Sequence, residues 1–190
     1  MNLVLPLFSW YLLLSLLGVI TFPLAFHLLP RLPERGYAFS RSLGLLLWAF
    51  IFWLLSCLGV LYNNPGGIFF ALMVLMGLSA WAWGKEQEQI KTWLQVNGRL
   101  VLMCEALFLI TFVGYALFRA IGPEITATEK PMELAFINAI IRSERMPPYD
   151  PWLSGYSISY YYFGYVMAGM LALFTGVPAG IAFYLSVSLV

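Results

Sequence analysis

Long apolar runs and short polar breaks alternate along the first 121 residues. Asn2 to Leu29, Ser42 to Tyr62, Ile68 to Trp83 and Leu100 to Ile121 are each apolar over about the length that a helix needs to cross a bilayer, roughly 20 residues. The breaks carry the charge. Arg31, Arg35 and Arg41 stand with Glu34 in the first, and Lys85, Lys91 and Arg99 with Glu86 and Glu88 in the third. The second, Asn63-Asn64-Pro65-Gly66-Gly67, is uncharged and reads as a tight turn. After Gly122 the pattern changes. Leu134, Ile137 and Ile141 share one helical face, which Phe136 and Ile140 extend, predicting a short amphipathic helix over 131–143 that lies in the membrane interface. Its start has two readings: Thr126 and Glu129 at capping-box spacing, or Lys130 as cap with Pro131 first in the helix and Glu133 at its third position. Met146-Pro147-Pro148 ends it. Tyr149-Asp150-Pro151-Trp152 reads as a turn, with a chain reversal at Gly155. A fifth span is expected over 157–174, with Tyr156/Tyr160 and Tyr161/Tyr165 paired one turn apart. A sixth run starts at Gly180.

The predicted fold is therefore all-α: a polytopic transmembrane helix bundle with an amphipathic interfacial helix in an external loop. Its parts are four N-terminal spans (1–121), an external loop (122–156), and a fifth span with the start of a sixth (157–190). The run from Pro178 to Val190 is too short to cross a bilayer, so the chain is expected to be the N-terminal part of a longer protein. The basic residues number three, none and three in the first three breaks, which places the N-terminus and the 122–156 loop outside the cell membrane. Lys130, Arg142 and Arg145 run against that rule, offset by neighbouring acids.

Composition agrees with the pattern. The chain is 62% hydrophobic and 10% charged, against about 25% charged in soluble domains. No basic cluster is dense enough for a nucleic-acid backbone. One histidine, His27, cannot supply the two axial ligands of a bis-histidine haem, and as a last-turn residue of the first span it is expected to cap carbonyls. Cys57 and Cys104 lie in apolar runs and read as buried small side chains rather than a disulfide. Glu105 lies inside the fourth span, where an acid needs a partner or a function.

Four of the nine acidic residues, Glu129, Glu133, Glu144 and Asp150, fall between Glu129 and Gly169. That segment reads EKPMELAFINAIIRS, then MPPYDPWLSGYSISYYYFGY. An acid-bearing amphipathic helix, PPxDPW-x-x-G and YYY-x-G in this order resemble the signature of a bacterial and archaeal integral membrane family named YYY for its triple tyrosine. The resemblance covers about Glu129 to Gly169, and the earlier spans in pattern only. The family more often has Asp where this chain has Glu133, which lengthens the arm that carries the carboxylate. More distantly, the architecture resembles the C-type (GT-C) membrane glycosyltransferases, which use polyprenyl-phosphate sugars and carry acids in the first external loop.

That resemblance implies a polyprenyl-phosphate-sugar substrate and a carboxylate that deprotonates an acceptor or holds a divalent cation. Glu133 and Asp150 are the candidate catalytic residues, with the metal ligands left open. The helix from Glu133 to Ser143 is about 15 Å long, and Ser143 to Asp150 spans up to ~23 Å extended, so the loop can bring the two together. They are expected to line one pocket, roofed by Pro147-Pro148 and floored by Tyr160, Tyr161 and Tyr162. Lys130 and Arg142 are candidates for a lipid phosphate, and Trp152 with the three tyrosines for stacking on a sugar or isoprenoid. Each has a structural alternative: helix-dipole complementarity for Glu133, turn formation for Asp150, snorkelling for the cations and an interfacial belt for the aromatics. A scaffold domain and a transporter or flippase domain are the competing functions.

Overall fold

The structure, a computed structural model, describes residues 4–121 and 129–187. Those residues form seven helices: α1 (Val4–Leu28), α2 (Ser40–Cys57), α3 (Pro65–Val96), α4 (Gly98–Ile121), α5 (Lys130–Arg142), α6 (Phe163–Thr175) and α7 (Ala179–Val187). Helices α1 to α4 are long and apolar enough to cross a membrane. The fold is the predicted all-α bundle.

Helices α1, α2 and α3 pack closely on one another. The buried face of α1 runs through Trp10, Leu14, Leu17, Thr21 and Leu24, at three- and four-residue steps. Small residues set the α1–α2 distance, because a side chain at Gly44 would strike Thr21 and Leu17. Close approach matters here, since between helices in lipid packing replaces the hydrophobic effect as the attractive force. Trp48 is fully buried and donates its indole N–H to the Ile68 carbonyl at 2.9 Å, tying α2 to α3. Helix α4 stands apart, with Leu102, Met103, Leu107, Ile110 and Phe118 all exposed.

Several boundaries differ from expectation. The Asn63–Gly67 stretch is a helix start: the Asn64 side chain accepts from the Gly67 N–H at 2.8 Å, and Pro65 opens α3. The expected polar connection over 85–99 is helix as far as Val96, giving α3 32 residues. Lys, Glu and Gln are good helix formers, Lys91 pairs with Glu88 at 2.8 Å, and Ile90 and Trp93 bury against Phe22, Phe26 and Tyr37. The fifth apolar helix begins at Phe163, not at 157, and its 13 residues end where Gly176 turns left-handed at φ 69°. Tyr156, Tyr160 and Tyr161 are thus outside any helix, and the one-turn tyrosine pairs do not form. Cys57 is exposed and Cys104 partly so, and both are free thiols, correcting the expectation of burial. His27 does not cap carbonyls; its Nδ1 meets Glu86 Oε1 at 2.5 Å, with the ring edge-on to Trp81.

Helix α5 forms where the apolar spacing predicts. Its buried face is Phe136, Ile137 and Ile140, with Leu134 and Ile141 half-buried. What covers that face is protein. Ile140 sits against Gly169 of α6, and Ile137 clusters with Ala168 of α6 and Phe183 of α7.

Candidate functional site

The polypeptide after α5 is held down by polar contacts from the ends of α2 and α3. Asn63 Nδ2 donates to the carbonyls of Ile140 (2.6 Å) and Ser143 (2.8 Å), satisfying the open C-terminus of α5. The Met146 N–H donates to Ser56 Oγ at 3.0 Å, and the Tyr149 N–H to Ser143 Oγ at 3.1 Å. Beyond this anchor the chain doubles back. Asp150 N–H donates to the Tyr156 carbonyl at 2.8 Å and Ile158 N–H to the Pro148 carbonyl at 3.0 Å, with Gly155 at φ 87° making the reversal. This small antiparallel fold keeps 157–160 out of helix α6.

Asp150 is occupied by that turn. Its Oδ1 accepts the N–H groups of Trp152 (2.8 Å) and Leu153 (2.9 Å), the arrangement of an Asx turn. Glu133 is placed differently. It lies in the first turn of α5, where the helix dipole favours a carboxylate. Among the described residues its one side-chain hydrogen-bond partner is the Tyr165 hydroxyl, at a long 3.4 Å. The cap of α5 is Glu129, which makes no side-chain cap bond, so Lys130 is already helical; Thr126 lies outside the described residues.

Glu133 faces an open cavity of about 710 Å3 between α2, α5, α6 and α7, with Leu45, Ile137, Tyr165, Ala168 and Phe183 in its walls and Ser42 and Ser186 as further polar groups. Among the described residues that line it, Glu133 is the one charged side chain. Asp150 is not a lining residue, so this cavity does not bring the two acids together. A smaller cavity of about 270 Å3 lies beside Arg41, Cys104 and Phe108.

The aromatic residues converge on Phe136. Its ring lies 5.5 Å from Trp152, 5.7 Å from Tyr160 and 5.5 Å from Tyr165. Trp152 and Tyr160 thereby stand near Glu133 through the helix that carries it. Tyr161 is 81% exposed, and Tyr162 turns away to accept the Trp53 indole N–H at 2.9 Å. All three tyrosines line a second recess, not the Glu133 cavity. Lys130 is half-buried and Arg142 exposed, and neither enters the ion pairs found among the described residues.

Two residues near Glu133 gain importance from the structure. Tyr165 carries its hydrogen bond. Glu129 is the cap residue four positions earlier, and the Tyr160 hydroxyl is raised in pKa by the neighbouring Tyr161, by burial, and by the charges of Glu129 and Glu133. The four-residue spacing of these acids at a helix start was the readable signal. Among the described residues no three His, Cys, Asp or Glu side chains come together as metal ligands.

In comparisons with known proteins, a family model described as Uncharacterized membrane protein (DUF2298) matches residues 47–190. No curated protein and no solved structure matches the chain.

Proposed function

The chain belongs to the DUF2298 family of uncharacterised membrane proteins, and from that premise we propose that it binds a lipid-linked substrate and serves a glycosyl transfer of the GT-C kind. The observation that carries this reading is the pairing of an open apolar cavity with one underpartnered carboxylate, Glu133. A cavity of about 710 Å3 with mainly apolar walls suits an isoprenoid chain, and a carboxylate there would meet the polar end of such a lipid. The resemblance to the triple-tyrosine family and to polyprenyl-phosphate-sugar transferases points the same way.

In the proposed reaction Glu133 accepts the proton of an acceptor hydroxyl. The acceptor oxygen bonds to the anomeric carbon, and the bond from that carbon to the lipid phosphate breaks, the phosphate keeping the electron pair. Tyr165 orients Glu133. Asp150 shapes the loop in this scheme, while Lys130 and Arg142 remain the candidate phosphate contacts. No step is routed through a metal. By the positive-inside reading, the reaction faces the exterior.

The test is genetic and chemical. A strain lacking the gene is complemented with the full-length protein, wild type or Glu133→Gln, and its lipids are profiled by mass spectrometry. Accumulation of a polyprenyl-phosphate sugar in both the deletion and the Glu133→Gln strain is expected. A wild-type profile with Glu133→Gln overturns the catalytic reading and favours a scaffold.

A further inference from the structure

A cation stands in the first turn of α2, where the bundle is loosest. The arm of Arg41 lies across α1 in room that Gly18 leaves, since a Cβ on Gly18 would come within 2.7 Å of Arg41 Cγ. Its guanidinium lies over the Phe108 ring of α4 at 4.3 Å, and the side chain is 11% exposed. Arg41 and Phe108 both line the cavity of about 270 Å3 between α1, α2 and α4, with Leu14, Leu45 and Leu107 as apolar walls and Ser42 adding a hydroxyl. A guanidinium carries five N–H donors. Among the described residues Glu105 is its one hydrogen-bond acceptor, and the Nε group is buried with no partner. Glu105 is itself shared, accepting also from the Tyr37 hydroxyl at 2.7 Å. A cation inside a span with donors to spare calls for a further acceptor.

Two further observations identify that acceptor. The first is charge. Segments 29–42 and 98–105 hold four arginines, Arg31, Arg35, Arg41 and Arg99, against two acids, Glu34 and Glu105. The end of α3 beside them balances Lys85 and Lys91 with Glu86 and Glu88. This end of the bundle therefore carries net positive charge and suits an anion. The second is place. Leu107 both lines the cavity and is 64% exposed, on the apolar face of α4 that also shows Leu102, Met103 and Ile110. The ligand thus enters from the bilayer and has hydrocarbon to bury. Basic pockets between spans are where anionic headgroups dock, and a guanidinium pairs well with a phosphate. We propose that this cavity binds an anionic phospholipid, its phosphate on Arg41 and a chain between α4 and the α1–α2 pair. By the positive-inside reading the lipid belongs to the cytoplasmic leaflet. The cavity shares Ser42 and Leu45 with that of Glu133 but lies on the α1–α4 side of them, and the inference does not depend on the glycosyl-transfer reading.

Native mass spectrometry of the full chain tests it. The protein is released from maltoside micelles with equal amounts of dioleoyl phosphatidylglycerol and dioleoyl phosphatidylcholine, which share their chains and differ in headgroup charge. The glycerol lipid is expected to be retained about fivefold more, the advantage that one basic residue confers. Glu105→Gln keeps the shape of the side chain and removes the competing charge, so the preference should rise a further few-fold. A merely structural Arg41 would leave it unchanged. Arg41→Leu combined with Glu105→Leu removes both charges together and should bring the two lipids close to parity. If that double variant fails to fold, Glu105→Gln decides alone. Lys91→Gln, at an exposed cation of the same end, should leave the preference intact, and added inorganic phosphate should not displace the lipid. Equal retention by the wild type, no rise with Glu105→Gln, a preference that survives in a folded double variant or is lost with Lys91→Gln, or displacement by inorganic phosphate would each overturn the proposal.

Discussion

Two groups of acids in this protein meet their surroundings in opposite ways. Glu105, in the middle of an apolar run, accepts from the Tyr37 hydroxyl at 2.7 Å and from the Arg41 guanidinium, which also lies over the Phe108 ring at 4.3 Å. Burial and the bond to Glu105 raise the Tyr37 pKa, so its proton stays in place to serve the carboxylate. Glu86 is likewise met by His27. Glu133 has one long hydrogen bond and a cavity in front of it. An acid with a structural role in a low-dielectric setting acquires short-range partners. An acid left with little and facing open space is the one available to a ligand.

The largest effect is expected at the acid that has a cationic partner, where Arg41 meets Glu105. The Arg41 side chain is 11% exposed and that of Glu105 32%. Replacing one partner strands the other, which costs 3–5 kcal/mol for a fully buried pair; with Glu105 a third exposed, Arg41→Leu should cost about 2–3 kcal/mol. Thermal unfolding in detergent would report it, and the double variant with Glu105→Leu should regain most of the loss. A single variant as stable as wild type would erase the contrast between the two groups.

A smaller loss is expected at the seat of α5. A Cβ on Gly169 would lie 2.7 Å from Ile140 Cγ2. Gly169→Val must push α5 off α6, an overpacking that costs about 2 kcal/mol. Gly77 of α3 has nothing within 4 Å of such a Cβ, so Gly77→Ala should be neutral or slightly stabilising. Equal unfolding temperatures for the two variants would show that α5 is not held where Glu133 needs it.

The four long spans are legible from unbroken apolar length and α5 from its three- and four-residue apolar spacing, local signals that survive in the bundle. The charges over 85–99 suggest a loop after the third span, whereas the segment to Val96 has strong helix formers and buries Ile90. The start of α6 is not legible because the segment 157–162 is apolar enough to continue a span. What holds it extended is a set of backbone bonds to 148–156, pairings between segments that no periodicity reveals. The acids were found but not their partners: which carboxylate is engaged depends on where Arg41, Tyr37 and the N–H groups of Trp152 and Leu153 come to lie. Asp150 and Glu133 look alike in the sequence and differ in the fold for that reason.

The smallest expected effect sharpens the comparison most. Glu133→Gln keeps the length and shape of the side chain and an oxygen for the Tyr165 hydroxyl. At 3.4 Å that bond is weak. What the substitution removes is a negative charge in the first turn of α5, where the helix dipole contributes about 0.3–1 kcal/mol. It also relieves repulsion from Glu129, one turn away. These two terms oppose each other, so the net change in stability should stay within about 0.5 kcal/mol. Guanidinium or thermal unfolding in detergent, run beside Arg41→Leu, would measure both on one scale. A loss at Glu133→Gln comparable with that at Arg41→Leu would place Glu133 among the structural acids. The cavity would then need another explanation. A near-zero change, together with altered lipid products in the complementation experiment, would mean that the carboxylate is kept for its chemistry and not for the fold.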